Sequence, residues 1–226
     1  MSVNERSALI IAGGSHGHDF ASTAQALVEV LAQHRITADV FDQPDDAWAA
    51  MTTRPVPYGM LLVNGLRFRM THARYDSLRE QWGYRTPPAA DAALDRHLAA
   101  GSSVFSVHTG CICFDDWDRW STLLGRKWSW DEQQLSWHPE RGPLTIEPET
   151  GYGAAFDIVD EVYTDMIQTD AIDVRARCAG QPVMWTRREG ASRVGVTTVG
   201  HGVDTYEHAA YRTLLDNLID WLAGNN

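Results

Sequence analysis

Ala8-Leu9-Ile10-Ile11-Ala12-Gly13-Gly14-Ser15-His16-Gly17-His18-Asp19-Phe20 is the stretch on which the fold turns. Five apolar residues in a row, without alternation and closed by two glycines, read as a strand buried on both faces. Phe20, Ala24, Leu27, Val28 and Leu31 then recur as one face of a helix. Ser22 and Gln25 have the spacing of a capping box at its start, with Asp19 the alternative cap. Strand, glycine turn and helix together open a parallel α/β sheet.

The same alternation continues outward. Asp39–Asp42 and Met60–Asn64 read as a second and third strand, joined by a Pro- and Asp-bearing connection. Thr86-Pro87 is a cap followed by a first-turn proline, Leu94 and Leu98 continue that helix, and Gly101 closes it. Ser103–Val107 is a fourth strand, and 115–150 reads as irregular. Later strands fall at Asp173–Cys178, Val183–Arg187 and Arg193–Val199. Asp204 with Glu207 resembles a capping pair. Tyr211, Leu214, Leu215, Leu218, Trp221 and Leu222 then form the apolar stripe of a terminal helix. The expected architecture is a mostly parallel sheet covered on both faces, in one domain over 1–226.

Composition narrows the partners. The 226 residues carry 44% hydrophobic and 22% charged side chains, ordinary values for a globular chain. Nineteen Lys+Arg against 30 Asp+Glu give a net charge of -11. That field repels phosphate backbones and anionic lipid, so neither nucleic acid nor a membrane is expected as a partner. Three cysteines, Cys111, Cys113 and Cys178, make no disulfide scaffold, and no apolar run has the length of a signal peptide or a membrane span. A cytoplasmic location is the expectation, and assembly into a homo-oligomer is compatible with it.

Three strand ends carry histidine next to glycine: His18 in the first loop, His108 before Thr109-Gly110, and His201 between Gly200 and Gly202. In a parallel sheet the loops beyond the carboxyl ends of the strands gather on one edge, so these imidazoles converge there. His16, His34, His72, His97 and His208 lack that setting and read as surface or structural. The first loop has neither nucleotide fingerprint, so no nucleotide cofactor is expected. Asp160-Glu161 are paired carboxylates suited to acid–base work or metal ligation. Asp115, Asp116 and Asp118 read as charges on the first turn of a helix. Cys111 and Cys113 lack the second pair that a structural zinc site needs. Of nine tryptophans, five lie in 117–137 (Trp117, Trp120, Trp128, Trp130 and Trp137). Aromatic faces stack on sugar rings, so this insertion beside His108 is a candidate carbohydrate-lined cleft.

Several segments, in order and spacing, resemble the ThuA-like, trehalose-utilisation proteins of the class I glutamine amidotransferase-like superfamily. They are AGGSHGHDF at 12–20, VHTG at 107–110, Trp137-His138-Pro139, DEVY at 160–163 and PVMWTRREGASRVGVTTVGH at 182–201. The resemblance runs from Ala8 to Leu222. It implies a flavodoxin-like three-layer α/β sandwich and a role in the metabolism of sugars, notably disaccharides and their keto derivatives. It also implies loss of glutaminase chemistry, because His108 stands at the strand-to-helix elbow where active amidotransferases carry cysteine. The catalytic candidates are therefore His18, Asp19, His108, Glu161 and His201. His18, His108 and His201 are the metal candidates, for a divalent ion such as zinc. Trp128, Trp137, His138, Tyr163 and Trp185 are the candidates for binding a small carbohydrate ligand.

Overall fold

A computed structural model describes residues 6–14 and 17–225 of the chain. In chain order the strands are β1 (Arg6–Gly14), β2 (Ile36–Phe41), β3 (Met60–Leu66), β4 (Ser103–Val107), β5 (Arg126–Lys127), β6 (Gly142–Pro148), β7 (Phe156–Asp160), β8 (Ile167–Gln168), β9 (Asp173–Cys178), β10 (Gln181–Glu189) and β11 (Ser192–Thr197). The helices are α1 (Phe20–Gln33), α2 (Pro44–Thr53), α3 (Asp76–Trp82), α4 (Pro88–Ala99), α5 (Asp118–Leu124), α6 (Val203–Glu207) and α7 (Ala209–Leu222). Nine strands form one sheet in the order β2-β1-β3-β4-β11-β10-β9-β6-β7, and β5 pairs with β8 separately. Strands β2, β1, β3, β4 and β11 are mutually parallel, which is the flavodoxin-like order. From β11 outward, β10, β9, β6 and β7 pair antiparallel.

The continuous apolar run of β1 follows from its place in the middle of three layers. Ala8, Ile10 and Ala12 face Leu27 and Leu31 of α1, in the cluster that also takes Tyr211, Leu215 and Ile219 of α7. Leu9 and Ile11 face the other layer, with Trp48 of α2, Leu94 of α4 and Trp120 of α5. Alternate residues thus bury into opposite layers, and no polar position is left to mark the period.

The structure departs from the sequence reading at several points. Asp19 caps α1, accepting from the Ser22 amide at 3.0 Å, so the Ser22–Gln25 box is not the device used. The connection at 44–53 is a helix, with Pro44 at its start and Asp45 and Asp46 in its first turn. Helix α4 begins at Pro88, and the Thr86 hydroxyl donates instead to Asp116. Asp115 accepts from the Arg69 backbone and guanidinium. Of the three acids only Asp118 stands in a first turn, where it pairs with Lys127. Asp204 pairs with Arg141, and His208 caps α7. Strand β6 crosses the segment read as irregular. Its sequence GPLTIEP carries two prolines and exposes alternate positions, so it has no apolar run to betray it.

The isolated histidines have structural work. His34 bonds Asp216 and Asp220, and His72 caps the 3-10 turn Ala73–Tyr75. His16 lies outside the described residues. His97 is buried, and its Nε2 donates to the Ser103 carbonyl at 2.8 Å. Burial pulls its pKa down to about 4. The unfolded chain takes up a proton near pH 6.5 that the folded state refuses until about 4, so stability is retained above 6.5 and falls as pH drops through that window. Between pH 7 and pH 5 this one group costs about 2 kcal/mol. In guanidinium titrations at those two values, His97→Gln is expected to lose about 2 kcal/mol less than the parent. Equal losses would show that His97 is not the source.

Candidate active site

The parallel half of the sheet brings the three histidine loops to one edge. His18 follows β1 on the turn into α1, His108 ends β4, and His201 follows β11. His108 stands at φ +50°, a left-handed conformation that costs a non-glycine residue energy and turns the chain sharply into the 3-10 turn His108–Cys111. Two contacts hold the elbow. A Cβ at Gly110 would run into the Val63 carbonyl of β3, so only glycine allows this approach. The Trp120 indole donates to the Gly110 carbonyl at 3.0 Å.

His108 is fully enclosed, and its Nδ1 donates to the Thr198 carbonyl at 2.8 Å. That bond fixes the tautomer and leaves the Nε2 lone pair for the centre. His108 Nε2 lies 3.2 Å from His18 Nε2 and 3.6 Å from Glu161 Oε2. Glu161 Oε1 lies 3.3 Å from His201 Nδ1. His18, His108, Glu161 and His201 each offer one ligand atom, and the four atoms lie within 4.8 Å of one another. Within this group His18 Nδ1, His201 Nδ1 and Glu161 Oε2 are buried without a hydrogen-bond partner among the described residues. The 3.3 Å approach of His201 to Glu161 is thus close enough for an ion pair without the alignment of a hydrogen bond.

The electrostatics divide the group. Burial, then the charges His108 and His201 would carry, lower the His18 pKa to about 3. Burial lowers His108 to about 4 against the Thr198 bond and Glu161. Both are neutral imidazoles at neutral pH. Burial alone would raise Glu161, but His201, His108 and His138 outweigh it and hold the carboxyl below its usual value. The Glu161 interaction in turn raises His201.

Asp160 was grouped with Glu161 by sequence, yet its role is different. Its side chain is fully buried and accepts four bonds: from the amides of Glu161 (2.8 Å), Gly200 (3.1 Å) and His201 (3.3 Å), and from the Thr205 hydroxyl (2.6 Å). It ties the end of β7 to the loop after β11, which sets Glu161 opposite His201. Within FDIVD the buried positions are Ile158 and Asp160, so the period-2 pattern of β7 is the signal that could have found it.

The other candidates separate cleanly. His138 Nδ1 is 3.5 Å from Glu161 Oε2, which makes this histidine a fifth member of the polar group. The Tyr163 hydroxyl lies 3.3 Å from both nitrogens of His108. Trp128 is buried with its ring centre 5.1 Å from that of Tyr163 and 5.8 Å from that of His138, and its indole N–H lacks a partner among the described residues. Trp137 is 57% exposed and bridges to Thr164 through its backbone. Trp185 does not reach the centre: it is wholly buried and donates to the Leu124 carbonyl inside the core. Asp19 does not join the centre either, because both its oxygens hold Ser22 at the cap of α1. Trp117 and Trp120 stack on each other against the core. Cys111 and Cys113 are buried, donating to the His108 and Gly65 carbonyls. Burial raises both thiols, Cys113 to about 12, so neither is a nucleophile at neutral pH.

A family model described as ThuA, trehalose utilisation, matches residues 7–222. The chain belongs to the ThuA family. Among solved structures it is similar to a ThuA-like protein from Parabacteroides merdae, at 16% identity and TM-score 0.73 over 98% of this chain and 91% of that one. It is also similar to a cytoplasmic protein from Salmonella typhimurium LT2, at 13% identity and TM-score 0.61 over 96% of this chain and 99% of that one. A β-galactosidase from Bacillus circulans shares the fold at 11% identity and TM-score 0.54, over 96% of this chain but only 31% of the enzyme. No curated protein matches by sequence. No helix among the described residues is long and apolar enough to cross a membrane.

Removing the Asp160 carboxylate leaves three donors of the 200–205 segment, two of them buried, without an acceptor. Asp160→Ala is expected to lose about 3 kcal/mol in a guanidinium titration, against about 1 kcal/mol for Thr205→Val, which removes one donor. Equal losses in the two variants would contradict the pinning role.

Proposed function

We propose that this ThuA-family chain is an enzyme of carbohydrate metabolism. Its centre would be a divalent-metal site, zinc fitting best, formed by His18, His108, His201 and Glu161, acting on a sugar or keto-sugar derivative. One observation carries the reading. Tetrahedral bonds of 2.0–2.1 Å space their ligand atoms about 3.3 Å apart. The contacts of 3.2 Å between His18 and His108, 3.3 Å between His201 and Glu161 Oε1 and 3.6 Å between His108 and Glu161 Oε2 are near that spacing, within a set of four ligand atoms that spans at most 4.8 Å. Three imidazoles and a carboxylate are a fitting donor set, and the unpartnered Glu161 Oε2 and His201 Nδ1 are the orphans such an ion would satisfy. The Thr198 carbonyl behind His108 is the outer-shell acceptor that ligating histidines use.

A bound metal would polarise a carbonyl or bound oxygen of the substrate. The chain's own residues supply the rest. His18 and His108 are held neutral by burial, the state that ligation requires. Glu161 is held ionised. His138, beside Glu161 and partly exposed, is placed to move a proton at a carbon next to a carbonyl. Burial raises the Tyr163 phenol well above its ordinary value, so it stays protonated and serves as a donor. Trp128 and Tyr163, both buried, wall the centre off from water, and Trp137 on the exposed side offers an aromatic face to a sugar ring. Buried, reduced cysteines fit a cytoplasmic setting.

A second reading rests on the Glu161–His201 pair, whose mutual stabilisation is that of an acid–base couple needing no metal. Variants His18→Ala, His108→Ala and His201→Ala separate the two. Metal per chain, turnover of a panel of keto-disaccharides and melting temperature would be measured for each. The metal reading expects metal content and activity to be lost together in every variant, by more than the roughly 10–100-fold that loss of an outer-shell partner costs. Lost turnover at unchanged metal content supports the acid–base couple. Parent-level turnover in all three variants contradicts both.

A further inference from the structure

A second cavity, of about 350 Å³, opens on the face of the sheet covered by α7, between that helix, strands β9 and β10 and the loop 150–152. It is separate in composition from the histidine centre and shares no residue with it. Its size falls within the range of known small-molecule sites, at the lower end. Thr186 of β10 and Leu218 of α7 form buried parts of the wall, and Trp221, Tyr152 and Asn217 line the rest.

Arg175 of β9 gives the cavity its chemistry. Its Nε donates to the Thr186 hydroxyl at 2.9 Å, and its guanidinium lies over the Tyr152 ring at 4.6 Å. These contacts fix the plane of the fork. Among the described residues Arg175 has no other side-chain hydrogen bond and no carboxylate partner. Glu149, just after β6, pairs with Arg177 at 3.0 Å, and Asp173, two residues before Arg175 on β9, makes no ion pair with it among the described residues. Burial lowers the Arg175 pKa with no neighbouring charge to offset it. In a chain of net charge -11, a partly buried guanidinium without a counter-charge is out of the ordinary.

We propose that this cavity is a second ligand site, for a small monocarboxylate with an apolar or aromatic body. The Nη side of the fork matches a carboxylate bidentately. One cation balances one negative charge, whereas a phosphate dianion would bring an uncompensated one. Leu218 and the Tyr152 and Trp221 rings accept the body, and Asn217 at the rim offers an amide to a further polar group. A cavity of about 150 Å³ holds a benzene, so about 350 Å³ has room for one ring with its acid group and short linker.

Titration calorimetry with the full chain tests this with benzoate, 3-phenylpropionate and 4-methylpentanoate, their neutral amides and inorganic phosphate as probes. At least one carboxylate is expected to bind, with its amide and phosphate at least tenfold weaker. Arg175→Gln, which keeps a donor for Thr186, is expected to weaken binding at least tenfold. Asn217→Trp, which fills the mouth, should abolish it. His201→Ala should leave it unchanged, and that result separates this site from the proposed centre. Should Arg175→Gln fail to fold, Arg175→Lys keeps the charge without the fork and is expected to show the same direction. Failure of all three carboxylates to bind overturns the proposal. So does binding that ignores both Arg175 variants, or that is lost in His201→Ala.

Discussion

Four donors meet on the buried carboxylate of Asp160, and the geometry of the candidate centre depends on that convergence. The carboxylate belongs to β7, the last strand of the antiparallel arm, while three of its donors belong to the segment after β11, at the edge of the parallel half. In the sheet order β10, β9 and β6 lie between β11 and β7, so no strand ladder joins these two places directly. Asp160 does so, and its chain neighbour Glu161 is thereby set between His201, His108 and His138. A buried carboxylate is costly unless its oxygens are satisfied, and here each donor that satisfies it is also a piece of backbone or side chain that needs fixing.

The elbow at His108 shows the same economy from the opposite direction. A left-handed non-glycine residue carries strain, and the surroundings over-determine it: Gly110 seats against Val63, Trp120 holds the Gly110 carbonyl, and Thr198 holds the imidazole. The fold thus retains a strained strand-to-helix turn of the kind that presents a nucleophile elsewhere, but it presents a neutral nitrogen lone pair. The cysteines that follow are turned into the core, so the chemistry available at this edge is that of imidazole and carboxylate.

How much of this was legible in the sequence varies with the physical signal. Strands β1, β3 and β4 are buried on both faces, so they appear as continuous apolar runs that place His18 and His108 on one edge, and His201 joined them only through the reading of Arg193–Val199 as a further parallel strand. Strands β6 and β7 are half-exposed, β6 carries two prolines, and their alternation is too short to stand out, so the outer pair of the arm, which delivers Asp160 and Glu161, went unseen. Trp128, Trp137 and Trp185 look alike in sequence, yet one flanks the centre, one is in solvent and one is core. Tertiary packing alone separates them, as it separates Asp19, a helix cap, from the histidine beside it. His138 was placed as a ligand-binding residue, and its approach to Glu161 became visible only once the arm folded over the edge.

The central claim is that His18, His108, His201 and Glu161 hold one metal ion. Crystals of the zinc-loaded chain, with anomalous diffraction collected on both sides of the zinc edge, test it most directly. The account predicts a single anomalous peak at about 2.0–2.2 Å from a nitrogen of each imidazole and an oxygen of Glu161. A featureless centre, with Glu161 paired to His201 and zinc found only at other sites, would contradict it.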